Sequence, residues 1–150
     1  MKGGSGEFVT NGGLMEAWAG PSGSWMSKLL ELVGEVPEVR FAAGDIIIKE
    51  GTPSGDLFLL KDGEVEILRD QLSIGRISKE GSALGEISAL LGVPATATVV
   101  ALKPSTFAVV NDAASVIEGS QEITLEIARN LARRLSWMTH TYVEQIYDDV

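Results

Sequence analysis

The chain has 150 residues, 45% of them hydrophobic, which suffices for one core of a single domain. A net charge of −9 excludes broad binding to a nucleic-acid backbone, which needs a basic face, yet leaves room for one small anion held by local donors. With no cysteine and a single histidine, His140, the chain excludes disulfides, thiol nucleophiles, cysteine or multi-histidine metal sites and histidine-based triads.

In chain order, Met1 to Gly23 is rich in Gly and Ser, and Gly3 to Phe8 has the look of a cloning scar. Residues 1–23 are therefore read as a flexible lead-in, and residues 24–150 as the domain. Met26, Leu29, Leu30 and Val33 recur at helical spacing and predict a helix from Ser24 to about Gly34, a natural stop. From Val36 the grammar changes to short apolar or alternating runs punctuated by Gly, Pro, Asp or Lys. These are Val39–Phe41, Ile46–Ile48, Leu57–Leu60, Val65–Leu68, Leu72–Ile77, Thr98–Leu102 and Phe107–Val110. Asp62-Gly63 between two of them is a strong hairpin signal. Regular short strands of this kind predict a sandwich or barrel.

The tail turns helical. A short segment at Ala113–Glu118 is followed by Gly119-Ser120, a break and an N-cap. Ile123, Ile127, Leu131, Leu135, Met138, Tyr142 and Ile146 then form one apolar stripe over about 28 residues, as one helix or two with a bend. Such a length exceeds what a small roll covers. The stripe either lies on its own barrel or, in its distal half, pairs with a second copy as a homodimer.

The segment Leu84 to Val99 carries the chemistry. Gly85 permits a sharp turn or a close approach to a ligand. Glu86 to Leu91 fits about one and a half helical turns, with free N–H groups and an acceptor carboxylate at their start, and Pro94 ends the turn. Read alone, Gly85 is a turn glycine and Glu86 a helix N-terminal charge. The longest uncharged stretch, Ile87 to Leu102, has 16 residues and is interrupted by Gly92 and Pro94, short of the roughly 20 needed for a membrane span.

This stretch resembles the phosphate-binding cassette of cyclic nucleotide-binding domains. The resemblance extends to Val39–Asp45, to Glu50–Leu60 and to the Gly turn Lys61–Ile67, and covers about Trp25 to Trp137. It implies a mainly β, α+β fold: an eight-stranded antiparallel β-roll, or jelly roll, with one N-terminal and two C-terminal helices. It further implies a ligand, cAMP or cGMP, set against Gly85, Glu86, Ile87, Ser88, Ala95, Thr96 and Ala97. In that reading Gly85 offers backbone to the ribose-phosphate, Glu86 accepts from the ribose 2′-hydroxyl, and Thr96 contacts the phosphate or purine. Trp137 and Arg133, on the last helix, are candidate lid residues.

One departure matters. Where the family places the arginine that pairs with the cyclic phosphate, this sequence has Ala95, and Leu84 replaces the aromatic before the glycine. Losing a charge-assisted hydrogen bond of about 1.5–3 kcal/mol implies a grip weaker by roughly 10- to 150-fold. Arg76, Arg129, Arg133 and Arg134 are the nearest other arginines and are each read as solvated surface charges. Weak binding, loss of binding with the fold kept as a scaffold or dimerisation module, and an introduced alanine all stand open. No catalytic residue, metal or cofactor is expected, because no carboxylate pair sits beside a nucleophile. The expected protein is a cytoplasmic regulatory domain, neither membrane-inserted nor nucleic-acid-bound. Binding would pass through its C-terminal helices to an effector outside this chain, and Ile87, Leu90 and Leu91 are expected to pack on those helices.

Overall fold

The structure, a computed structural model, describes residues 24–148. The lead-in assigned to residues 1–23 lies outside the described residues, as do the side chains of Met26, Trp137, Met138, Tyr142 and Ile146.

Helix α1 (Ser24–Val33) precedes eight strands: β1 (Glu38–Phe41), β2 (Ile46–Ile48), β3 (Leu57–Asp62), β4 (Val65–Arg69), β5 (Leu72–Ile77), β6 (Ala83–Leu84), β7 (Thr98–Ala101) and β8 (Ser105–Val110). Helix α2 (Glu86–Leu91) interrupts the strands between β6 and β7, and α3 (Ala113–Glu118) and α4 (Gln121–Asp148) follow them. The strands form two four-stranded antiparallel sheets, ordered β1-β8-β3-β6 and β2-β7-β4-β5. This is the expected roll, with its helix before it, two after it and the short helix starting at Glu86.

The period-two rule explains how two cores arise from one set of strands. Leu57 and Leu59 of β3, and Ala108 and Val110 of β8, face outward to meet Leu29 of α1, Ala113 and Ile117 of α3, and Ile123 and Ile127 of α4. Leu60, Phe107 and Val109, in the alternate positions, face into the roll with Val65, Ile67, Ile77, Leu84 and Val99. Phe107 sits there between Phe41 and Phe58, edge to face with each at 5.9 Å between ring centres. Strands β3 and β8 are thus buried on both sides, and so read as nearly unbroken apolar runs.

The Asp62-Gly63 turn corrects the hairpin expectation. β3 and β4 lie in different sheets and do not pair, so this turn carries the chain from one sheet to the other. Gly63 is needed because its φ is 121° and a Cβ there would lie 2.2 Å from the Ser105 hydroxyl. The hairpin between consecutive strands is β4–β5, closed by Asp70 and Gln71 at φ 51° and 69°. That is the positive-φ pair a tight two-residue turn requires, made without glycine.

Helix α4 is one helix rather than two, capped by the Ser120 hydroxyl accepting from the Ile123 N–H at 3.2 Å. Its apolar stripe docks only in part. Ile123 and Ile127 are buried and Leu131 partly so, but Leu135 is 67% exposed.

Candidate functional site

The connection from β6 to β7 crosses from the first sheet to the second, and the cassette is that crossing. Gly85 starts it at φ 92°, and a Cβ added there would meet the Asp56 carbonyl oxygen at 2.7 Å. Both the left-handed conformation and the close approach demand glycine. α2 then runs for six residues until Gly92, at φ 68°, donates its N–H to the Ser88 carbonyl. Ala89 of this helix belongs to the core under the post-roll helices, whereas Ala95 belongs to the core of the roll. The cassette therefore spans both cores.

The sequence-selected residues separate into groups. Glu86 is only 5% exposed, and its Oε2 accepts from Nη1 of Arg134 at 2.6 Å. Ser88 is buried, and its hydroxyl donates to the carbonyls of Ser54, at 3.1 Å, and of Val93, tying the helix to the loop before β3. Ala95 is 6% exposed, and its backbone is already engaged. Its N–H donates to the Thr52 carbonyl at 2.9 Å, and its carbonyl accepts from the Gly51 N–H at 2.8 Å. Thr96 and Ala97 are half-buried beside it, with Ala97 against the roll core. Ile87 is exposed, as are Leu90 and Leu91. The expectation that these three pack on the post-roll helices is thus corrected: Ser88 and Ala89 turn inward, which leaves their neighbours outward on a six-residue helix.

Arg134 is the second correction. Read as a solvated charge, it instead crosses 48 positions of sequence to the cassette carboxylate, with its side chain 14% exposed against 7% for Glu86. The signal was in the sequence: Arg134 lies three residues after Leu131 and seven after Ile127, on the buried side of α4. Arg133 beside it is exposed. Arg129 lies 3.6 Å from the buried Glu126 and is half-exposed, and Arg76 is exposed on β5. The Trp137 side chain lies outside the described residues.

Residues 38–115, which run from the start of β1 to the first turn of α3 and contain the whole cassette, match the family model for the cyclic nucleotide-binding domain. The chain belongs to the cyclic nucleotide-binding domain family. A cGMP-dependent protein kinase, egl-4, of Caenorhabditis briggsae is 35% identical over 75 residues, half of this chain and 10% of that protein. A cAMP-dependent protein kinase regulatory subunit of Hypocrea atroviridis is 36% identical over 62 residues, 41% of this chain and 13% of that one. The cyclic nucleotide-binding domain here thus spans about a tenth of the length of these curated relatives. Among solved structures, the catabolite activator protein of Thermus thermophilus superposes with a TM-score of 0.63 at 18% identity, over 87% of this chain and 62% of that one. A cyclic nucleotide-binding domain of Methylobacillus flagellatus gives 0.61 at 20% identity over 85% of both chains. These two likenesses establish the fold. Arg134 lies beyond the segment the family model matches.

Among the described residues no cluster of potential metal ligands occurs, and no helix is long and apolar enough to cross a membrane.

Proposed function

We propose that this domain is a regulatory sensor that binds cAMP or cGMP weakly at the cassette and passes the event to an effector through α4. The observation that carries this reading is the buried Glu86 carboxylate at the start of α2, joined directly to the terminal helix by Arg134. A charge in that place is costly to keep without a purpose or a partner. Glu86 fits the acceptor of a ribose hydroxyl, and Gly85 and the N–H groups after it fit a ligand's approach. The similarity to a cGMP-dependent protein kinase and to a cAMP-dependent protein kinase regulatory subunit supports the ligand class. Weakness follows from Ala95, which supplies no cation where a cyclic phosphate would need one.

Ala95 also favours a second reading, a scaffold or dimerisation module that has given up nucleotides. Its side chain packs in the roll core and both its backbone groups are bonded to the Gly51–Thr52 turn. A titration of the chain with fluorescent cAMP and cGMP separates the two, repeated on Ala95→Arg. The sensor reading expects saturable binding that the arginine tightens by about tenfold or more. The same substitution should lower the stability of the ligand-free protein, because the new charge starts from a buried position. Absence of binding in both proteins would leave the scaffold reading.

A further inference from the structure

We infer that Ser136 on α4 is a phosphorylation site, read by a serine/threonine kinase that selects arginine ahead of its acceptor. The inference stands on α4 and does not rest on the nucleotide reading above.

The charge pattern is the first observation. In a chain of net charge −9, three of the six arginines fall between residues 129 and 134, and Arg133-Arg134 is the one adjacent pair of basic residues. Ser136 comes three residues after Arg133 and two after Arg134. An acidic substrate cleft is repelled by the chain as a whole and attracted to this segment, and charge patterns of this sort are how kinases discriminate among serines. Other serines lack the pattern. Ser82, Ser88 and Ser105 are buried, and the Ser115 hydroxyl donates to the Asp112 carboxylate. Ser78 has Arg76 two positions before it but Gly75 three positions before.

The second observation is placement. At helical spacing Arg129, Arg133, Ser136 and His140 share one face of α4, turned away from Ile123 and Ile127 in the core. Arg129 is half-exposed and the other three are exposed, while Leu135, next to the acceptor, is two-thirds exposed. A phosphate on Ser136 thus lies between Arg133, one turn before it, and His140, one turn after it, in reach of charge-assisted hydrogen bonds. In the transfer, Ser136 Oγ forms its bond to the γ-phosphorus of ATP as the bond from that phosphorus to the β-phosphate oxygen breaks. ADP leaves, and the hydroxyl proton passes to a carboxylate of the kinase. Because a kinase cleft takes its acceptor extended, α4 must open locally around residues 133–137, a smaller event than unfolding of the roll.

The experiment incubates the native chain, Ser136→Ala and Arg133→Gln with magnesium-ATP and the catalytic domain of an arginine-directed serine/threonine kinase. Mass spectrometry locates and counts the phosphoryl groups, and circular dichroism checks that each protein is folded. The native chain should gain one group, at Ser136, and Ser136→Ala none at a comparable rate. Loss of a charge-assisted contact to the cleft should slow the initial rate in Arg133→Gln by about tenfold or more. A hydroxyl that is merely accessible predicts equal rates in the native chain and Arg133→Gln, so equal rates overturn the assignment. Preferential modification of Ser78 or any other residue overturns it, as does the absence of incorporation into the folded native chain.

Discussion

The two ends of the cassette are held in opposite ways. At its start, Glu86 carries a buried charge whose partner comes from a helix 48 positions away in sequence. At its end, Ala95 is apolar, sits in the roll core and is bound through its backbone to the neighbouring Gly51–Thr52 turn. The start adds an ionic contact to the hydrogen bonds of Ser88 and the packing of Ala89, whereas the end is held by backbone bonds and apolar packing alone. The comparison teaches where the cassette meets the rest of the domain: its start touches α4, while its end is part of the roll core. Ala95, which the resemblance sets in the place of an arginine, lies at this second end.

The sharpest way to break the comparison is at the ionic end. Glu86→Ala leaves the Arg134 guanidinium largely buried without its carboxylate and should cost about 3 kcal/mol. For a chain of this size that is a fall of roughly 6–12 °C in melting temperature by calorimetry. A loss near zero would mean the pair is not what fastens the cassette. Next in size is Gly85→Ala. A Cβ at φ 92°, facing the Asp56 carbonyl at 2.7 Å, should cost about 2–3 kcal/mol in urea unfolding, with the slope unchanged. At the apolar end, Ala95→Val adds volume to a packed core and should cost about 1–2 kcal/mol while leaving exchange of residues 86–91 nearly native. Faster exchange there would show that the two ends are not independent.

The smallest effect lies at an ionic contact outside the cassette. The Lys61 ammonium donates to the Glu38 carboxylate across β8 in full solvent, and it holds the Glu38 carboxyl below its ordinary pKa of 4.5 chiefly by that hydrogen bond. A depressed carboxyl contributes stability that is present above the unfolded pKa and lost as pH falls through the folded one. Native protein and Lys61→Ala should therefore differ slightly in unfolding midpoint at neutral pH and converge in acid. A gap that widened toward low pH would reverse the assigned sign. The contrast with Glu86→Ala is the difference between an exposed pair and a buried one.

Most of the architecture was legible because it follows local rules. Seven of the eight strands showed as apolar runs, α3 was bounded by its residues, and Gly119-Ser120 marked the start of α4. β6 was missed because two residues, Ala83 and Leu84, are too few to show a period. The β4–β5 hairpin was missed because Asp70 and Gln71 adopt positive φ without glycine. Asp62-Gly63 misled because a positive-φ turn joins strands of different sheets as readily as paired ones, and pairing is decided by tertiary packing. At the site, the helix start at Glu86 could be read from Gly85, but the partner of its carboxylate could not be read from the cassette itself. Arg134 is identified only when the register of the α4 stripe is followed past Leu131 and a charged residue on its buried face is asked for a counter-charge. The packing of Ile87 and Leu90 was misjudged because a six-residue helix has too few turns to bury more than one face.

The central claim is the proposal that a nucleotide bound at the cassette is passed on through α4, which meets the cassette at Glu86–Arg134. The most direct test is a distance measurement between labels on Leu91→Cys, an exposed position of α2, and Ser136→Cys, just beyond Arg134 on α4. The chain has no cysteine of its own, so the labels report only these two points. With saturating cGMP or cAMP, confirmed by titration of the labelled protein, the account predicts a shifted distance distribution. The same shift should appear at lower nucleotide concentration when Ala95→Arg is added. A distribution unchanged at confirmed saturation, in both backgrounds, would contradict it.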